Sequence, residues 1–172
     1  WSSDVCSSDL FRLDNATVSG NATLFEGGTI ETAAASSSIQ LTSGTQMTLG
    51  SSTRGKIFGD HIVLEHGDSH TGKSTGFHIE ARGLRVIPET GNSSARVQVV
   101  AGNRVQVASL SGSLHVLNAR GELVANLPTG VALAFEPQSS PSLARVTGCL
   151  ENRNGHFLIT DETTNVTVEV LG

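Results

Sequence analysis

From Ala22 onward the chain alternates apolar and polar residues in short segments. Clear examples are Thr29-Ile30-Glu31-Thr32, Ser38-Ile39-Gln40-Leu41-Thr42 and Gln46-Met47-Thr48-Leu49. Others are His61-Ile62-Val63-Leu64-Glu65, Phe77-His78-Ile79-Glu80-Ala81, Leu84-Arg85-Val86-Ile87 and Arg96-Val97-Gln98-Val99-Val100. A period of two puts the apolar side chains on one face, as in half-buried strands. Gly102, Gly112, Gly121 and Gly130 lie 10, 9 and 9 residues apart. Between them fall Val105-Gln106-Val107, Leu114-His115-Val116-Leu117, Glu122-Leu123-Val124-Ala125 and Val131-Ala132-Leu133-Ala134-Phe135. One strand and one turn per nine or ten residues predicts an all-β fold of Gly-punctuated short strands, a sandwich or roll. The repeats share no consensus, which makes a regular solenoid the less favoured form. The one Ala-rich stretch, Glu31–Ala35, runs into Ser36-Ser37-Ser38 and is expected as a strand end and turn. Phe25, Phe58, Phe77, Phe135 and Phe157, with the Val, Ile and Leu positions, are the expected core.

The pattern divides the chain. Pro137-Gln138-Ser139-Ser140-Pro141-Ser142 breaks it with two prolines that block strand pairing, so 137–142 is expected to be a linker. It separates a β domain over 11–136 from a second β-module over 143–172. That module offers three strands, around Val146–Leu150, Gly155–Thr160 and Val166–Val170, too few to close a barrel, so it is expected to be truncated. Residues 1–10, Trp-Ser-Ser-Asp-Val-Cys-Ser-Ser-Asp-Leu, resemble a translated sequencing adapter: they back-translate to the end of a common short-read adapter. They are therefore expected to contribute nothing to the fold. Setting them aside removes the single Trp and Cys6, leaving Cys149 and no disulfide framework.

Composition narrows the function. Without Asp4 and Asp9, 14 acidic residues face 11 basic ones, a net of −3. That balance, with only 4% aromatic residues, lacks the basic stripe and stacking rings that nucleic acid requires. No apolar run approaches the ~18 residues of a membrane helix. Abundant Gly, Ser and Thr with sparse charge suit a secreted or periplasmic β domain.

Candidate chemistry is thin. Gly67-Asp68-Ser69-His70-Thr71-Gly72-Lys73-Ser74 fits the phosphate-loop pattern, which needs a strand before it and a helix after it. Here Gly76-Phe77-His78-Ile79-Glu80 alternates as a strand, so the segment is expected to be a polar hairpin loop without nucleotide. His61, His66, His70 and His78 lie within 18 residues. His61 and His66 are an odd step apart and fall on opposite faces of one strand, so no metal is expected. No nucleophile–base constellation stands out, and Cys149, between Gly148 and Leu150, suits a small buried residue. Neither cofactor nor catalysis is expected.

Residues 17–136 resemble the FecR-type domain of bacterial iron-citrate-type anti-sigma regulators and their secreted relatives. The resemblance rests on Gly27-Gly28-Thr29-Ile30-Glu31-Thr32 followed by Ser38–Leu49. Phe77–Ala81 with Leu84-Arg85-Val86, then Ser111–Val116 and Leu127–Leu133, continue it. It departs at Ala101–Val107, where the family's usual Thr and Phe are absent. The resemblance implies a non-catalytic binding or scaffold domain, periplasmic or secreted. Its partner would be an envelope protein such as an outer-membrane transducer, and its role the sensing part of an anti-sigma regulator. A secreted carbohydrate-associated β-roll is the alternative; the scarcity of aromatics deprives it of sugar-stacking surfaces. The departure, the alternation and the position beside the linker make 105–117 the expected partner-binding segment. Its residues are Val105, Val107, Leu114, His115 and Val116, acting by main-chain pairing at a sheet edge.

Overall fold

The structure is a computed structural model that describes residues 2–6, 11–72, 76–136, 148–153, 156–161 and 167–170. The chain divides into two compact units, Trp1–Pro137 and Gln138–Gly172. The first unit opens with β1 (Ser2–Cys6), β2 (Phe11–Leu13), β3 (Ala16–Val18), β4 (Ala22–Phe25) and β5 (Thr29–Thr32). It continues with β6 (Ser37–Gln40), β7 (Gln46–Leu49), β8 (Arg54–Ile57), β9 (His61–Thr71), β10 (His78–Ala81) and β11 (Leu84–Pro88). It ends with β12 (Ser94–Val99), β13 (Val105–Ser111), β14 (Leu114–Leu117), β15 (Leu123–Leu127) and β16 (Ala132–Phe135). The second unit is a three-stranded antiparallel sheet of β17 (Gly148–Arg153), β18 (His156–Asp161) and β19 (Thr167–Val170). No helix among the described residues is long and apolar enough to cross a membrane.

The all-β reading holds. The 16 strands of the first unit form one connected, mixed sheet that folds into two layers. One layer runs β4-β1-β6-β7-β9-β12-β13-β16. The other runs β3-β2-β5-β8-β9-β10-β11-β14-β15. Strand β9 belongs to both. Its first half pairs with β8 and, in parallel, with β10; its second half pairs with β7 and β12. The inward faces share one core that includes Ile30, Ile57, Ile62 and Val86 from one layer and Ile39, Leu49, Val97 and Val107 from the other. Burying such a side chain contributes about 1.5–3 kcal/mol.

Gly67 is where β9 changes layers. Its φ is +92°, in the region L side chains avoid, and a Cβ there would lie 2.2 Å from Thr53 Oγ and 2.5 Å from Thr53 Cα. Thr53 locks the crossing: its Oγ accepts the Asp68 N–H at 2.9 Å, and its own N–H donates to Thr32 Oγ at 2.9 Å.

Three expectations are corrected. Gly67–Thr71 is not a hairpin loop but the second half of β9, with Ser69 and Thr71 buried. Lys73 and Ser74 lie outside the described residues. Phe25 is 69% exposed, while Phe11, which alternation did not reveal, is in the core. Ser2–Cys6 is not excluded from the fold: it forms β1, paired with β4 on one side and β6 on the other. The linker at 137–142 lies outside the described residues, as do the side chains of Cys149 and Phe157.

Candidate functional site

Val105, Val107, Leu114 and Val116 are fully buried core residues. Strand β13 is paired by β12 and β16, and β14 by β11 and β15. Both strands of segment 105–117 are therefore paired on each side over these residues, and Val105, Val107, Leu114 and Val116 are turned inward, while Leu110 is exposed. The physical reason is ordinary: strands paired on both sides alternate just as edge strands do.

The free edge lies one strand further on. Among the described residues β16 pairs only with β13, with Leu133 opposite Val107 and Phe135 opposite Val105. Among the same residues β15 pairs only with β14. The corner between them is strapped to the β13–β14 turn. The Gly130 N–H donates to the Ser109 carbonyl at 2.9 Å, and Thr129 Oγ donates to the Gly112 carbonyl at 2.8 Å. Among the described residues, five of the six exposed large apolar side chains, Leu110, Leu123, Val124, Val131 and Leu133, cluster at this end of the sequence; the sixth is Phe25. On the outward face of the β12–β13–β16 ladder, Arg96, Gln98 and Gln106 border a shallow groove floored by Ala108, Ala132 and Ala134. Arg104 closes the far end of the edge with an exposed 2.6 Å ion pair to Glu136.

His115, the remaining expected site residue, is half-buried and sits in a different setting. The parallel β9–β10 register places His78 opposite His61. The β10–β11 register, with Ile79 opposite Val86, carries the row on through Ile87 to His115 and then Asn126. The His61 and His78 rings stack with centroids 5.0 Å apart, and Phe58 stacks on His61 at 4.4 Å. His61 Nδ1 lies 2.7 Å from Asp60 Oδ1, and His78 Nε2 lies 3.4 Å from Glu80 Oε1. Glu80 in turn accepts from Arg85 at 3.0 Å. His66 and His70 are exposed elsewhere along β9. Among the described residues no three His, Cys, Asp or Glu side chains are placed to hold a metal ion. The His61–His78 couple escaped sequence reasoning because a parallel pairing joins residues across a crossover, and no local period reports it.

Burial, then the charge of His61, holds His78 below the ordinary imidazole value of 6.5, against the opposing pull of Glu80; Arg85 adds to the depression. The unfolded chain therefore binds the proton more readily. Stability is full above about pH 6.5 and declines as pH falls through the region between the unfolded and folded values. His78→Asn should flatten that part of the curve in thermal melts from pH 7.5 to 5. An unchanged slope would assign it to other groups.

No family model matches the chain, and no curated protein matches it. The fold is similar to two crystal structures, at 1.65 and 2.50 Å, of a "putative anti-sigma factor" from Parabacteroides distasonis ATCC 8503. Each is 12% identical with a TM-score of 0.44, over 83% of this chain and 58% of the other. The chain thus spans less than two thirds of the length of these structural neighbours.

Proposed function

We propose that the chain is a non-catalytic binding domain of the bacterial envelope, periplasmic or secreted, that takes an extended segment of an envelope protein along the edge of β16. The carrying observation is the edge itself. Monomeric proteins blunt exposed edges with charge, proline or bulges. From Val131 to Phe135 this strand has none of these, and exposed Leu133 lies at its centre. Unpaired main-chain groups supply the hydrogen bonds and alternate side chains the selectivity, the mode of β-augmentation. The resemblance of residues 17–136 to the FecR-type domain supports the envelope location. It extends the reading to a sensing role in an anti-sigma regulator, with an outer-membrane transducer as partner.

Hydrogen exchange on the full chain, with and without envelope extract, tests it. Extract should protect residues 131–135, and Leu133→Lys should abolish that protection. Protection that survives Leu133→Lys, or none at 131–135, would remove the edge as the site.

A further inference from the structure

The segment at the free edge has nearly the same pattern read in either direction. Val131-Ala132-Leu133-Ala134-Phe135 alternates large and small side chains symmetrically about Leu133. Val131 is 36% and Leu133 41% exposed, and Phe135 is only partly buried against the core. The pairing with β13 fixes where the main-chain groups point. The Ser109 N–H donates to the Val131 carbonyl at 2.9 Å, so by the alternation of this antiparallel ladder Leu133 and Phe135 turn their N–H and C=O groups toward β13. Ala132 and Ala134 turn theirs outward, where no other strand among the described residues meets them. Their side chains, both exposed, lie on the outward face and are too small to obstruct a second backbone.

We infer that β16 pairs antiparallel with β16 of a second copy of this chain, centred on Leu133, and closes a two-fold dimer. The inference rests on the reading that this edge accepts a strand, and it names the strand that holds the edge when no envelope segment does. With Leu133 on the two-fold axis, Ala132 exchanges both main-chain bonds with Ala134 of the second copy, and Ala134 does so with Ala132. Leu133 then meets its own equivalent as a non-hydrogen-bonded pair, where side chains approach most closely and Cα atoms lie about 4.5 Å apart. Val131 falls opposite Phe135. The large side chains of both copies thus cover one another on the inward side, and the alanines meet on the outward side. A centre at Ala132 or Ala134 instead sets Phe135 or Val131 opposite a residue outside this segment. No charge opposes the pairing: residues 131–135 carry none, and Glu136, held by Arg104, falls opposite Gly130. The contact is isologous and uses up both β16 edges, so it closes at two copies instead of running on as a fibre. So short a strand makes a small interface of the weak, reversible class, which a better-matched partner strand can displace.

Sedimentation of the full chain from about 10 μM to about 1 mM should show a monomer–dimer equilibrium, the range of a small transient interface. Amide exchange at Ala132 and Ala134 should slow as the concentration rises, and Leu133→Lys should stay monomeric throughout. Cross-linking tests the register. In the full chain with Cys6→Ser and Cys149→Ser, Leu133→Cys should give a disulfide-linked dimer under oxidised glutathione, because the spacing of its Cα atoms suits the bond. Ala132→Cys should not, because an offset of two residues carries its equivalent Cα atoms beyond about 7 Å. The inference is overturned if the parent is monomeric at every concentration, or if the two cysteine variants link equally. It is also overturned if Ala132 and Ala134 are already protected in the monomer, since the chain then closes its own edge. Should the cysteine variants fail to fold, sedimentation and exchange of the parent decide alone. The two readings of the edge fail separately. A monomer protected at 131–135 by envelope extract keeps the envelope segment and loses the dimer. A dimer that extract leaves undisturbed keeps the dimer and loses the envelope segment.

Discussion

Gly67→Ala should lower the thermal midpoint by about 10 °C or more. Two separate effects add. A residue forced into a sparsely populated backbone region costs about 1–3 kcal/mol. Overpacking a filled interior costs about 1–3 kcal/mol more. Here the added methyl would meet the backbone of Thr53, which cannot swing aside as the tip of a flexible side chain can. Together they take about 2–6 kcal/mol, about 4 at the middle of the range, from a total that for most domains is about 5–15 kcal/mol. At about 2–4 °C per kcal/mol for a chain of this size, the shift is large. Gly20→Ala is the internal control. Gly20 has nearly the same φ, +84°, but nothing within 4 Å of the added atom. It should cost only the backbone share, about 1 kcal/mol. If the two variants melt alike, the close passage of β9 past Thr53 is not what holds the layers together.

The second large effect concerns Val107 and Leu133, which face each other across the β13–β16 ladder. Val107 is fully buried and Leu133 is 41% exposed. Val107→Asp places an unpaired carboxylate in the core, a penalty of several kcal/mol that should abolish cooperative unfolding. Leu133→Lys keeps its charge in water and should move the midpoint by about a degree. Circular dichroism melts of the two variants decide the matter. A well-folded Val107→Asp protein would return segment 105–117 to the surface and reopen it as a partner-binding strand.

Much of the strand pattern was legible because period-two alternation is local. Thr29–Thr32 and Gln46–Leu49 have the bounds that their sequences suggest. Strand β9 was only half legible. Gly67-Asp68 looks like a turn, since a glycine followed by polar residues usually ends a strand, yet here the glycine lets the strand bend into the other layer and go on. Phe25 was misplaced because size alone put it inside, whereas the register of β4 gives the inward position to Leu24. The edge at β16 was illegible in principle: Val105-Gln106-Val107 and Ala132-Leu133-Ala134 alternate alike, and only the pairing tells which is central. His115 was noticed for its place beside a departure from the FecR-type pattern, but its row with His61 and His78 depends on a parallel register that no stretch of sequence encodes.

Because four strands pair with β9, the order in which the chain is made matters. Its partners lie between Met47 and Val99, two before it and two after. As the polypeptide leaves the ribosome, β7 and β8 can dock at once, but both remaining edges of β9 stay open until β10 and β12 have emerged. For those seconds the chain exposes an apolar-faced template, with Ile62 and Leu64 on it, that any extended neighbour can occupy. Pairing at such sequence separation also slows closure, since the loop must be closed before its contacts form. A nascent form of this domain should therefore be most prone to aggregation when stalled between residues 72 and 99, and the hazard should end once β12 seals the second half of β9.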